Sequence, residues 1–315
     1  MYFDAHSDIW CDVTARRLKG ETDVLRRRHL ERLRKGGVEG SIFVIWVDPP
    51  YDVDYVKRTK EIMQCAKAEA EECDEIRIVH NYAEMMQAKA DGKIYVFHGI
   101  EGLAAIGEDI SKIDEYYDFG CRHAILTWNE ANALGAGANS GESYGLTETG
   151  KKAARKVQDK GMILDMSHLN EAGFWDCMKL ATKPIIASHS NCRALCDVPR
   201  NLTDDQLRAI RDSFKDFIDP RGPEQTVENL ARHADHMINV MGIDHVGCGF
   251  DFFEFINDEA MGTMTEDSSP AAHGMKDASE IPNLFSCFEK MGMTKEEMDK
   301  IARVNFQNLV KRTIG

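Results

Sequence analysis

The sequence predicts a (β/α)8 barrel of the TIM type built as one domain over residues 1–315. Two observations carry this. Short β-branched runs alternate with amphipathic stretches along the whole chain, and no linker or shift in composition divides it. Strands buried on both faces that alternate with helices pair in parallel, and a parallel sheet of this length closes most economically into a barrel. An opening run, YFDAHSD, is the first strand. GSIFVIWV (40–47), KIYVFHGI (93–100), HAILTW (123–128), MILDMSH (162–168), KPIIASH (183–189) and HVGCGFD (245–251) supply six more. Between them, Val56, Met63, Ala66 and Ala70 mark one face of a helix, and 148–160 reads as another. Thr203 caps a helix running to Arg211, and Met298, Ile301, Ala302 and Leu309 recur at helical spacing near the end. After Arg211 the run RDSFKDFIDPRGP holds no apolar stretch long enough for a barrel strand, so one stave is expected to be missing from the sequence. Residues 258–278 are polar, bear Gly and Pro, and read as a long irregular loop of the kind that covers enzyme sites.

Composition bounds the function. The 315 residues are 43% hydrophobic, 29% charged and 8% aromatic, enough apolar matter for a sizeable core. A net charge of −14 opposes docking on phosphates, whether of nucleic acid or of an anionic membrane. No run reaches the roughly 18 apolar residues of a membrane span, and the start lacks a signal-peptide layout. The nine cysteines are odd in number and scattered through apolar stretches, which fits reduced thiols and a cytoplasmic protein.

The chemistry lies at the strand ends. His6 and Asp8 are two apart on the first strand and share a face. Glu101 follows YVFHGI, His168 ends ILDMSH, His189 ends IIASH and Asp251 ends HVGCGFD. In a parallel barrel all six converge on the carboxyl-end face, where active sites form. Three imidazoles with carboxylates suit a pair of divalent cations, zinc first, with Glu101 able to bridge them. The architecture is therefore that of a metal-dependent hydrolase. Any single one of these residues could be a hydrogen-bonded structural group or a cap, and only the six in register point to metal. His98 lies within its strand and reads equally as support for the site or as core; the other seven histidines, His123 among them, read as structural or surface residues.

Other motifs do not carry a function. Gly135, Gly137 and Gly141 resemble a phosphate loop, but no helix opens on them, and a flexible substrate loop is expected. Ser190 lacks the G-x-S-x-G elbow. The basic run Arg26–Arg28 has Glu21 and Glu31 beside it and reads as a solvated face.

The series FDAHSD, GIEG, DMSH, SHSN followed by VPRNL, and HVGCGFD resembles the renal (membrane) dipeptidase family of binuclear zinc metallopeptidases in order and spacing over nearly the whole chain. The resemblance implies a (β/α)8 barrel that hydrolyses dipeptides, some with a D-residue at the carboxyl end, using two zinc ions per chain or other divalent metals. It implies His6 and Asp8 on one zinc, His168 and His189 on the other, and Glu101 bridging them. A hydroxide shared by the metals attacks the peptide carbonyl, Asp251 moves the proton, and Arg200 pairs with the dipeptide's carboxylate. A homodimer follows by the same analogy, and the absence of a secretion signal and lipid-anchor tail makes the chain similar to soluble microbial members.

Three departures stand out. Trp128, followed by Asn129, occupies the position of a substrate-contacting His, so these two are the expected substrate-side residues. Phe253 and Glu254 replace a later Asp and Gly. An apolar strand that members carry after the helix ending near Arg211 is the one missing here. The rival readings are a deaminase or lactonase on the same barrel, which would have no use for Arg200, and a non-catalytic binding protein, against which the intact ligand set speaks.

Overall fold

The structure, a computed structural model, describes residues 1–213, 216–218, 226–256 and 272–315. Nine strands occur in these residues: β1 (Tyr2–Ser7), β2 (Val38–Trp46), β3 (Ile76–Ile78), β4 (Ile94–Glu101), β5 (Cys121–Ile125), β6 (Ile163–Asp165), β7 (Ile185–Ile186), β8 (Asp216–Ile218) and β9 (Val246–Cys248). Six of them, β1-β2-β4-β5-β6-β7, pair in parallel in that order and curl into a half-barrel. β3 lies off this path and covers only the start of β4, with Ile76 opposite Ile94; β5 takes over that edge from His98 onward. β8 and β9 form a second parallel pair, Asp216 opposite Val246. Among the described residues no ladder joins the two sheets. Instead, Phe250 N donates to Asp4 Oδ1 (2.8 Å) and Asp251 N to His6 O (3.2 Å), tying the exit of β9 to β1.

Within the run after Arg211, where no barrel strand was expected, the structure places β8 (Asp216–Ile218). It spans three residues, so no apolar run announces it, and its place is set by pairing with β9. β3 was likewise too short to read from pattern. Of the expected covering loop, only 272–278 falls within the described residues.

Period-two alternation along the strands makes two layers of core. Phe3 and Ala5, Ile42, Val44 and Trp46, Tyr95 and Phe97, Ile163, and Ile186 fill the inside of the curl. Phe306, Leu309 and Val310 of the last helix, Asn305–Thr313, close it at the amino-end side, with the Phe3 and Phe306 rings stacked 3.6 Å apart. The alternate residues, Phe43, Ile45, Val96 and Ile100 among them, face the surrounding helices. Gly40 exists for this packing: a Cβ there would lie 2.1 Å from the buried Tyr95 ring.

On the helix Tyr55–Glu72, Ala66 is buried and Met63 and Ala70 pack against the core as expected, but the buried stripe is wider and omits Val56. Val56 is exposed, whereas Arg58, Thr59, Ile62, Ala66 and Glu69 are buried. Two charges can sit inward because each is paired: Arg58 Nε and Nη2 lie 2.9 Å from Asp48 Oδ1, and Glu69 accepts from Arg17 Nη1 (2.6 Å) and Leu25 N (2.7 Å). The helix from Asp204 is capped by Thr203 as expected, with Gln206 N donating to its hydroxyl. All nine cysteines are free, and no helix among the described residues is long and apolar enough to cross a membrane.

Candidate metal centre

Parallel strands send their carboxyl ends to one face, and there the six expected groups meet. Glu101, the last residue of β4, divides its two oxygens. Oε2 lies 3.1 Å from His6 Nε2, while Oε1 lies 2.7 Å from His168 Nε2 and 3.3 Å from His189 Nε2. His6 Nε2 is also 3.8 Å from Asp8 Oδ2 and 3.9 Å from Asp251 Oδ1. Two overlapping donor sets result, His6–Glu101–His189 and His6–Asp8–Asp251, each within 4.8 Å and fully buried.

These residues fit a pair of cations. The Nε2 atoms of His168 and His189 face each other at 2.8 Å, with Glu101 Oε1 beside both. His168 Nδ1 donates to Asn129 Oδ1 (2.9 Å), an oxygen that can only accept, which leaves the Nε2 lone pair turned inward. Ser188 Oγ meets His189 Nδ1 at 2.8 Å and steadies the second ring. His6 Nδ1 is buried without a hydrogen-bond partner. Burial opposes a proton on His6, but the carboxylates of Glu101 and Asp8 overcome it and push its pKa up to about 10. Burial would raise Glu101, yet His6 and His168 hold it well below the usual carboxylate range. Burial, His6 and Arg200 together keep His189 neutral. A field that holds a proton this tightly is a field for a metal cation.

The backbone is specialised at the same place. Among the described residues, His168 (φ 66°) and Asp251 (φ 51°) are two of three non-glycine residues in the left-handed region. Such conformations cost about 1–3 kcal/mol each and persist where the surroundings dictate them.

Several supports were not legible beforehand. Asp4, two residues before His6, accepts from His6 N and Phe250 N; burial outweighs these bonds and raises its carboxyl to about 7. His123, expected to be structural or surface, is fully buried with Nε2 2.6 Å from Asp165 Oδ2, and Asp165 Oδ1 accepts from Ser167 N and Ser188 N. Gly99 leaves room for that imidazole, since a Cβ there would sit 2.6 Å from His123 Nδ1. The D-x-S-H wording of β6 and its exit was the available signal: a buried Asp three residues before a ligand. His98 resolves as core, accepting from Trp10 Nε1 and stacking on Phe119. Arg200 Nη1 donates to Ser190 Oγ (3.1 Å), beside His189. Trp128 lies over His168, ring centroids 6.1 Å apart, while Asn129 is engaged with His168 itself. The glycine-bearing loop is anchored to the site by Ala138 N donating to His168 O and Gly137 N to Glu130 O.

Known proteins resemble this chain along most of its length. The chain is 31% identical over 253 residues to the Klebsiella pneumoniae "uncharacterized protein in pqqA 5'region", covering 75% of this chain and 88% of that protein. Among solved structures it is similar to dipeptidase AC, a metallo peptidase of family M19, with a TM-score of 0.85 at 25% identity, over 100% of this chain and 99% of the other. A metallo peptidase from Rhodobacter sphaeroides, liganded with a phosphinate mimic of the dipeptide L-Ala-D-Ala, gives the same TM-score and identity over 99% of both chains. The family model for membrane dipeptidases matches residues 1–314. The chain therefore belongs to the membrane dipeptidase family, peptidase family M19.

Proposed function

We propose that this protein is a zinc-dependent dipeptidase with two metal ions per chain, on a single domain whose six-stranded half-barrel and β8–β9 pair together make an eight-stranded (β/α)8 barrel. One observation carries the reading: Glu101 turns one oxygen to His6 and the other to the His168–His189 pair, the disposition of a bridging carboxylate. His6 and Asp8 would hold one ion and His168 and His189 the other. When bound, the two cations supply Lewis acidity and a water whose pKa falls to roughly 7.

The chain's own residues do the rest. Asp251, 3.9 Å from His6 Nε2 in a strained left-handed conformation, takes up the proton of the attacking water on a carboxylate oxygen and returns it to the leaving amine. Arg200, steadied by Ser190, offers a planar guanidinium to the dipeptide's free carboxylate, a requirement that a neutral cyclic substrate of a deaminase or lactonase would not impose. Asn129 holds the His168 ring, and Trp128 flanks the substrate. The L-Ala-D-Ala mimic carried by the Rhodobacter relative supports acceptance of a D-residue at the carboxyl end. Nine free cysteines support a reducing compartment, the cytoplasm.

The test is metal analysis with a panel of L-Xaa-L-Xaa and L-Xaa-D-Xaa dipeptides, beside Arg200→Ala. About two zinc per chain, dipeptide turnover, and a variant impaired chiefly in KM are expected. Metal without dipeptide turnover would move the assignment to a cyclic substrate.

A further inference from the structure

A cavity of 90 Å³ opens beside Glu101, walled by Trp46, Tyr55 and Trp128, with Asp52 and Glu130 completing the acidic side. Besides Glu101, which the metals would engage, its described lining holds the carboxylates of Asp52 and Glu130 and no Lys or Arg. The Trp46 and Trp128 rings stand 5.2 Å apart at 53°, offering aromatic faces to whatever enters. Trp46 is only 2% exposed, yet its Nε1 has no hydrogen-bond partner. A buried N–H left this way costs about 1–3 kcal/mol, and the cost is relieved when an occupant brings an acceptor. The space therefore looks built for a ligand.

We propose that this cavity receives the side chain of the substrate's N-terminal residue and selects a cationic one, of the lysine or arginine class. The inference rests on the dipeptidase reading and deepens it. The substrate's carboxylate is directed to Arg200 and repelled by Asp52 and Glu130, so the acidic cavity serves the amino-terminal half. Aromatic walls suit a methylene stem capped by a charge, because the stem packs on the rings while the head is drawn to their π faces and to the carboxylates. Trp46 Nε1 is then available to an oxygen of the same substrate.

The experiment compares L-Lys-L-Ala with L-norleucyl-L-Ala, which is similar in length and lacks the charge, on metal-loaded wild type, Glu130→Gln and Asp52→Asn. Calorimetric binding of the corresponding non-hydrolysable phosphinate mimics supplies a readout independent of turnover. In the wild type, kcat/KM and binding should favour the lysyl compound at least tenfold, and each variant should cut that ratio at least threefold. A wild-type ratio near one would overturn the proposal. So would a ratio untouched by both variants, or an equal loss for both substrates, which would assign the cavity to the α-ammonium group. Failure to turn over any dipeptide would overturn the dipeptidase reading itself; turnover without cationic preference would overturn this inference alone.

Discussion

Asp165 offers the sharpest test of how the centre is held. It is fully buried at the end of β6 and accepts from Ser167 N at 2.8 Å, Ser188 N at 3.1 Å and His123 Nε2 at 2.6 Å. One carboxylate thus joins the middle of β5 to the exits of β6 and β7, next to the segments that carry His168 and His189. Asp165→Ala orphans two backbone donors and an imidazole, all without access to solvent. At about 1–3 kcal/mol per orphaned group the upper range is steep, but a water entering the vacated space would satisfy part of it. The expected loss is therefore about 3–5 kcal/mol, the sum for three orphaned donors less what that water recovers. Asp165→Asn retains an oxygen for Ser167 N and Ser188 N and should cost about half as much. Urea unfolding followed by circular dichroism gives both values, and a double-mutant cycle with His123→Ala isolates the pair, with a coupling of at least about 1 kcal/mol expected. A loss below about 1 kcal/mol for Asp165→Ala, or additivity with His123→Ala, would refute the idea that this carboxylate braces the three strands.

Other consequences follow from the same contacts. Asn129→Ala removes the acceptor that orients His168, so zinc affinity measured by chelator competition should fall about 10–100-fold with the fold intact. Gly40→Ala drives a methyl into the Tyr95 ring and should lower stability by about 1–3 kcal/mol in thermal melts. Arg58→Ala strands the buried Asp48 and should cost about 3–5 kcal/mol, while Arg58→Met, which also removes the charge but fills the space, should cost less; equal losses in the two unfolding curves would argue against a packing contribution. Chelation should abolish dipeptide turnover and lower Tm, because metal bound only by the folded chain stabilises it, and restored zinc should recover both.

What could be read from the sequence was whatever repeats or is spaced regularly. The β-branched runs betrayed β2, β4 and β5 because each is buried on both faces, and parallel pairing followed from the helices between them. His6, Asp8, Glu101, His168, His189 and Asp251 were legible as candidates because a strand's end is visible in the sequence and parallel topology sends every such end to one face. Two short elements outside those runs were not legible. β3 and β8 hold three residues each and exist through their partners, Ile94–Val96 and Val246–Cys248, so no local pattern could mark them. Side-chain pairing was equally hidden: the helix Tyr55–Glu72 turns Arg58 and Glu69 inward because Asp48 and Arg17 wait there, a choice made by distant residues. The same holds for Asn129 on His168, Asp165 joining β5 to the exits of β6 and β7, and Trp46 facing Trp128 across the acidic cavity. The sequence alone determined which residue types lie at the strand ends, since that depends on local periodicity. Only the tertiary structure decided which atom meets which, because burial makes each polar group depend on the one partner that folding brings within reach.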